Sequence, residues 1–419
     1  MGDTVSSQLR VAVVGGGVVG LCVAYFLCRR GAQVTLIERD RVGAGASSGN
    51  AGWICPSLIA PLPAPGVRKY ALRSMWRPSS PLFIAPRLDP ALAKWLRTFW
   101  RNCTPEAYRA GLAAMAPLGR RTATLYDQFE SDGPRFEMVR QGLLFACLDT
   151  ATAQRDLASL KALTQHGYAI PEEPMTRGEL EHLEPALSEQ VRSGFLLDDE
   201  RHVDPTELTA ALETHIRSSG ATVLEGTEAV AFPIEDGRVT AVRTRSGTVE
   251  TDALVLAAGT WTGRLAANLG LQLPLQAAKG YSFTIRPKVP PRRPIYLSEA
   301  KVGLTPFGAG LRVAGGLELS GLNERLDGRR IDAMKRVART YLEDWPSETI
   351  EHEWVGLRPL APDGLPIMGP VEGLANAFVT TGHGTLGVTL APASGEAVAD
   401  MVLSNEVPAI IRPFTPARF

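Results

Sequence analysis

The apolar positions divide the chain into strands and helices from its first residues onward. Leu9 to Val14, apolar but for Arg10, predicts a strand buried on both faces of a parallel sheet. Glycines come next, then Val18 to Arg30 with apolar residues at helical spacing, a stop at Gly31 and a second apolar run over Gln33–Ile37. That is a β-α-β unit. Residues 43–66, rich in Gly, Ser, Ala and Pro, predict a loop with at most one short helix. Pro90 to Arg121 is helical in pattern and carries Trp95, Phe99 and Trp100. A second alternating stretch opens near Asp204, with a helix over Pro205–Ser219 and a strand over Thr222–Glu225. Short strands continue to Glu250, turning at Glu235-Asp236-Gly237 and Ser246-Gly247. Ala253–Ala257 predicts another buried strand, Leu273–Leu319 a β-rich stretch, and Ile331–Leu342 and Gly387–Leu403 two further helices. No internal repeat and no Gly/Ser linker separates these parts, so two domains are expected to interleave along the chain.

A length of 419 residues suits two domains. Forty-four basic and forty-four acidic residues cancel, so no gross field recruits nucleic acid or an anionic membrane, and the expected partner is a small molecule. The five cysteines are odd in number, scattered and without a CxxC pair, which favours a reducing compartment. Met1 to Arg10 lacks a signal-peptide pattern, and no run reaches the roughly 18 apolar residues of a spanning helix. A cytoplasmic location is expected. Peripheral contact with the inner face of a membrane stays open through Trp95-Leu96-Arg97-Thr98-Phe99-Trp100, although a core-facing helix is the favoured reading of that segment. The six histidines show no i, i+4 pair and no His/Cys cluster, so no metal is expected.

The strand–helix junction holds G-x-G-x-x-G at Gly15, Gly17 and Gly20. Gly15 permits the tight turn, Gly17 a close backbone approach to a pyrophosphate, and Gly20 close packing of helix on strand, while the helix N-terminus offers free N–H groups to the phosphates. Val18 and Val19 open that helix. Glu38 ends the second strand at the distance where a ribose hydroxyl is held, with Arg39 beside it. An acidic residue there argues against a 2′-phosphate. This fingerprint leaves FAD and NAD both open. The segment after Glu38 favours FAD: in place of a continued α/β alternation, Gly43 to Gly52 form a small-residue loop whose Ser47, Ser48, Asn50, Ala51 and Gly52 can run along an extended cofactor.

With Gly45-Ala46-Ser47-Ser48-Gly49-Asn50-Ala51-Gly52 the chain resembles the D-amino-acid oxidase superfamily of flavoenzymes, and within it the bacterial D-amino-acid dehydrogenases and glycine-oxidase-like enzymes. Leu254 to Trp261 resembles the family's second cofactor-contacting strand and turn, and Lys279-Gly280-Tyr281-Ser282 the strand entering its substrate domain. Gly356-Leu357-Arg358-Pro359, with Pro362-Asp363-Gly364-Leu365-Pro366 and Gly369, resembles its C-terminal signature. Gly382 to Thr389 resembles its flavin-ring loop. The resemblance implies an α/β protein in which a Rossmann-type FAD-binding domain interleaves with an α+β substrate domain built on a mixed or antiparallel sheet. The implied segments are 1–76, 196–269 and 351–419 for the FAD domain, and a helical 77–195 with a β-rich 270–350 for the substrate domain. Further implied contacts to a noncovalent FAD are Val230, Ala258, Gly259, Trp261, Gly382, His383, Gly384, Thr385, Leu386, Gly387 and Thr389.

The implied activity is oxidation of a D-amino acid or an N-substituted glycine by hydride transfer to flavin N5, giving an imino acid that hydrolyses, with oxygen or a quinone as electron acceptor. Such chemistry asks for a cation on the substrate carboxylate and for stabilisation of charge on the flavin ring. Arg358 is the candidate cation, since its planar fork matches a carboxylate. Tyr281 and Tyr296 are candidate pocket walls or hydroxyl donors, Trp53 a candidate near the flavin, and Arg312 a second-rank basic candidate near N5. His383, between two glycines, is favoured as a packing or hydrogen-bonding residue over a general base. Thr385 stands where glycine oxidases carry arginine, which loosens that particular assignment. A flavin-binding electron-transfer or accessory subunit without amine turnover is the competing reading.

Overall fold

The computed structural model describes residues 8–68, 80–308, 310–345 and 350–419. β1 (Arg10–Val14) is buried from Val11 onward, and α1 (Val18–Arg29) buries almost every residue from Val18 to Leu27. β2 (Gln33–Ile37) pairs parallel to β1. A left-handed Gly31 (φ +84°) turns the chain between α1 and β2. β1 lies inside a six-stranded sheet ordered 367–370, 377–381, 253–256, β1, β2, 222–224. Its pairings are parallel except for 367–370 against 377–381.

A parallel sheet needs cover on both faces. The strand period of two decides which residue meets which cover. Val11 and Val13 join the helical core of α1 and α2 (Gly387–Ser404), while Ala12 and Val14 pack with Ala229, Val239 and Val242 from the small strands of residues 229–250. The two helices touch so closely that a Cβ on Gly395 would lie 2.7 Å from the Cys22 backbone.

The second sheet runs in the order 351–360, 276–285, 310–319, 302–307, 295–297, 143–147, 193–197, with 82–84 attached to 310–319. At its end β3 (Gln276–Ile285) lies antiparallel to both β4 (Gly310–Leu319) and β5 (Glu351–Leu360). This sheet corrects two expectations. Residues 77–195 are not only helical: Leu143–Cys147 and Ser193–Leu197 are strands with every residue buried, and so short a buried run carries no period to separate strand from helix. β5 also carries the sheet past the expected segment boundary at 350. The expected boundary at 76 lies outside the described residues.

Smaller differences have local causes. The long helix expected over Pro90–Arg121 is two, Pro90–Asn102 and Pro105–Asp132, because the Thr104 side chain caps a new start with Pro105 in its first turn. The first of them faces the core, burying Leu92, Trp95 and Phe99, and Trp95 Nε1 donates to the Leu360 carbonyl. The helix expected over Ile331–Leu342 runs from Gly328 to Ala338, started by the Asp327 cap. Within the loop of residues 43–66, Trp53–Ile54 forms a two-residue strand on Arg201–Val203. No helix among the described residues is long and apolar enough to cross a membrane.

Candidate functional site

The carboxyl ends of the parallel strands open onto one cavity of about 340 Å³, lined by Val14, Ile37, Ala257 and Thr380 among others. Ligands of open α/β sheets sit at this edge. The glycine turn there admits no side chain at Gly15 or Gly20. At Gly15 (φ +115°) a Cβ would fall 2.5 Å from the Ala257 carbonyl oxygen, and on Gly20 it would fall 1.9 Å from the Gly15 oxygen. The Gly16 N–H donates to Glu38 Oε2 at 2.7 Å and the Asp40 N–H to Oε1 at 2.9 Å, which fixes the carboxylate at the cavity edge. Ser47 Oγ accepts from the Val18 N–H at 3.1 Å, docking the small-residue loop on the N-terminus of α1. Nearby the Arg39 guanidinium lies 4.5 Å over the Trp261 ring, and both line the cavity.

Arg358 lines the same cavity from β5. Its guanidinium occupies the space above Gly280, where a Cβ would come within 2.2 Å of Cζ. Nη1 donates to the Gly316 carbonyl at 2.6 Å, and no acidic side chain among the described residues pairs with it. Burial lowers its pKa to about 10, which leaves it charged at neutral pH. The loop before α2 is tied beside it by the Gly384 N–H donating to the Pro359 carbonyl at 2.9 Å. His383 also lines the cavity; its Nε2 bonds Ser394 Oγ at 2.9 Å, and burial pushes its pKa down to about 4. It is neutral near pH 7 and already partnered, as a structural histidine would be.

Of the other residues expected at the cofactor, Gly17, Val18, Val19, Ser47, Asn50, Ala258, Gly259, Trp261, Gly384 and Gly387 line the cavity, with Glu38 and Arg39. Ser48, Ala51, Gly52, Gly382, Thr385 and Leu386 do not, and Gly20 sits beneath the turn. Thr389 turns away: its Oγ1 donates to the Trp53 carbonyl and accepts from the Cys55 N–H. Val230 is a correction, since alternation on a short strand exposes it and places Ala229 at the cavity instead.

The expected substrate residues need more revision. Tyr281 is fully buried on the opposite face of β3 from Gly280, and its hydroxyl donates to Glu318 Oε2 at 2.7 Å. Tyr296 packs edge-on against Trp53 and Phe145, and Trp53 Nε1 donates to Thr305 Oγ1 at 2.8 Å. Arg312 Nη1 donates to the Ser48 and Asn50 carbonyls at 3.1 and 2.9 Å. None of these four lines the cavity.

Two residues went unread in the sequence. The hydroxyls of Thr260 and Thr380 belong to cavity-lining residues, are buried and have no hydrogen-bond partner among the described residues. Buried polar groups are normally satisfied, and these two lie beside the cavity without opening onto it. Their signal was position: Thr380 lies near the carboxyl end of a parallel strand, where ligands gather. A glycine turn closed to a Cβ at Gly15 and Gly20, a fixed acidic residue and the N-terminus of α1 at the cavity edge fit FAD.

The chain matches the family profile of FAD-dependent oxidoreductases over residues 10–401. Among similar proteins, the D-amino acid dehydrogenase of Bradyrhizobium diazoefficiens is 33% identical over 413 residues, covering 96% of both chains. That of Methylobacterium nodulans is 35% identical over 412 residues, covering 94% of this chain and 95% of the other. Among solved structures, glycine oxidase from Geobacillus kaustophilus shares the fold with a TM-score of 0.74 at 24% identity, covering 98% of this chain and 100% of that one. L-Proline dehydrogenase from P. horikoshii does so with a TM-score of 0.72 at 20% identity, covering 98% of each.

Proposed function

The chain belongs to the family of FAD-dependent oxidoreductases, and from that premise we propose that it oxidises the α-carbon–nitrogen bond of a D-amino acid or N-substituted glycine to an imino acid, which water then hydrolyses. FAD, when bound, would supply the hydride acceptor, with a quinone or oxygen as the final electron acceptor. Ser47 and Asn50 hold the cofactor together with the glycine turn and Glu38. In this reading the six-stranded sheet carries FAD and the second sheet carries the substrate site.

Arg358 is the observation that carries the proposal. A partly buried guanidinium with no carboxylate partner among the described residues is costly to keep, and an anionic ligand offsets that cost. A substrate carboxylate meets it with two parallel N–H···O bonds, which fixes the substrate's orientation as well as its position. Gly280 leaves the guanidinium its room, and the Gly316 carbonyl anchors it. The D series is favoured by the two D-amino acid dehydrogenase relatives, whose identity extends over nearly the whole chain.

The deciding experiment is anaerobic: the FAD-loaded protein is mixed with a panel of D-amino acids, D-proline and N-alkylglycines, and the yellow flavin band is monitored. Bleaching by at least one member is expected, with colour returning on addition of a quinone or air. If no member bleaches the flavin, amine oxidation is excluded and the electron-transfer reading takes its place.

A further inference from the structure

We infer that Arg312 and Trp354, rising from one face of the second sheet, clamp residues 48–51 of the cofactor loop to that sheet and so set the spacing between the flavin and Arg358. This clamp rests on the proposed amine oxidation.

The register places the parts. Ala278 pairs with Arg358, Gly280 with Gly356, Ser282 with Trp354 and Thr284 with Arg312, while Arg312 pairs in turn with Thr305 of the strand Val302–Phe307. Alternate residues and their direct partners share a face, so Arg358, Trp354, Arg312 and Thr305 all project from the same side. Successive loop residues cross that side, held between them by three strands. A Cβ on Gly49 would fall 1.9 Å from Cδ2 of the Trp354 indole, and one on Gly356 would fall 2.1 Å from its Cη2. The indole therefore lies between two glycines, one in the loop and one in β5. On either side of Gly49, the carbonyls of Ser48 and Asn50 accept from Arg312 Nη1, whose guanidinium lies 4.7 Å over the Phe307 ring. The next carbonyl, of Ala51, accepts from Thr305 Oγ1 at 2.8 Å. The residue before them, Ser47, is bonded to the start of α1.

One short strap thus joins the glycine turn of the first sheet to the face of the second that carries Arg358. Arg312 acts here as a positioning residue and its charge is spent on backbone carbonyls. Misplacement by about 1 Å between reacting atoms costs on the order of 100-fold in rate, so the strap governs reduction more than binding.

The test uses the full FAD-loaded chain with Arg312→Met, Gly49→Ala and Trp354→Phe. Three quantities are measured: amide hydrogen exchange of residues 47–52, FAD affinity, and the saturating rate of anaerobic flavin reduction set against the affinity for acetate, a carboxylate that needs Arg358. Arg312→Met and Gly49→Ala are expected to speed exchange in 47–52, to weaken FAD and to lower the saturating rate about tenfold or more, with acetate affinity held within about twofold. Trp354→Phe keeps a flat ring between the two glycines and is expected to retain the rate within about threefold. Exchange and rate unchanged in both Arg312→Met and Gly49→Ala overturn the clamp. So does a loss of acetate affinity in Arg312→Met that matches the loss of rate, since Arg312 would then be a direct anion ligand. If no amino acid reduces the wild-type flavin, the proposed function fails while exchange and FAD affinity still decide the clamp.

Discussion

The charge on Arg358 and the hydroxyl of Tyr281 sit on opposite faces of the second sheet, so their removal has opposite consequences. Arg358 faces the cavity with a single carbonyl as its hydrogen-bond partner among the described residues. Arg358→Ala leaves the glycine turn untouched. It is expected to retain FAD while KM for the amino acid rises about 100-fold or more, the cost of losing one side of a buried charged pair. Steady-state kinetics with a bleaching-competent substrate check this, and an unchanged KM overturns the carboxylate assignment. Tyr281 instead belongs to a buried group with Glu318, Lys279 and Arg330. Tyr281→Phe strips Glu318 of one donor, so about 1–3 kcal/mol of stability is expected to be lost with KM unchanged. A denaturant titration and a KM measurement on one preparation separate the two. Arg358 was singled out in the sequence by the likeness of Gly356-Leu357-Arg358-Pro359 to the family's C-terminal signature, and it lines the cavity. Tyr281 was misplaced because period two fixes only that it and Gly280 lie on opposite faces; the register with β5, which decides which face meets the cavity, is a tertiary fact.

At the scale of elements, the β1–α1–β2 unit was readable because a buried strand, a glycine turn and an apolar helix each leave a distinct pattern. The strands at 143–147 and 193–197 were not, since their only distinguishing feature is their partners in the sheet. The segment from Trp53 to Leu58 also hides a buried acid behind it. Glu200 Oε1 accepts from the Ser57 N–H at 3.0 Å and from the Ser57 hydroxyl, while Oε2 has no hydrogen-bond partner among the described residues. Burial raises the Glu200 pKa to about 7, the Asp199 charge adds to the rise, and the Ser57 and Cys55 hydrogen bonds oppose it. Between an unfolded value of 4.5 and a folded value of about 7, the folded state holds the extra proton, so this stabilising contribution is lost as pH rises through that window. The change amounts to about 3 kcal/mol. His202 and His383, both lowered to about 4 by burial, act with the opposite sign: their penalty at low pH fades as pH rises to 6.5, the ordinary histidine value. The comparison must therefore be with Glu200→Gln. The stability of wild type relative to this variant is expected to decline steadily from pH 5 to pH 8 in chemical denaturation, and a flat difference overturns it.

At the scale of the whole molecule, FAD couples parts that are distant in sequence. The cavity draws on residues 14–50, 227–265 and 357–388, and Arg358 reaches it from the second sheet. The hydrophobic core is shared in the same way: the cluster that contains Val11 and the buried face of α1 extends without a break to Phe145 and Phe195 in the strands of the second sheet. Two sheets with a common core and a common strap should melt together, so removing FAD lowers the whole transition instead of releasing one half. A ligand at 100 times its Kd stabilises the folded state by about 2.7 kcal/mol, which for a chain of this length corresponds to roughly 3 °C in Tm. Scanning calorimetry of the FAD-free protein is expected to show one transition that moves upward by about that amount as FAD is added to this excess. Two separable transitions, one insensitive to FAD, would mean that the sheets fold as independent bodies and that the shared core does not couple them.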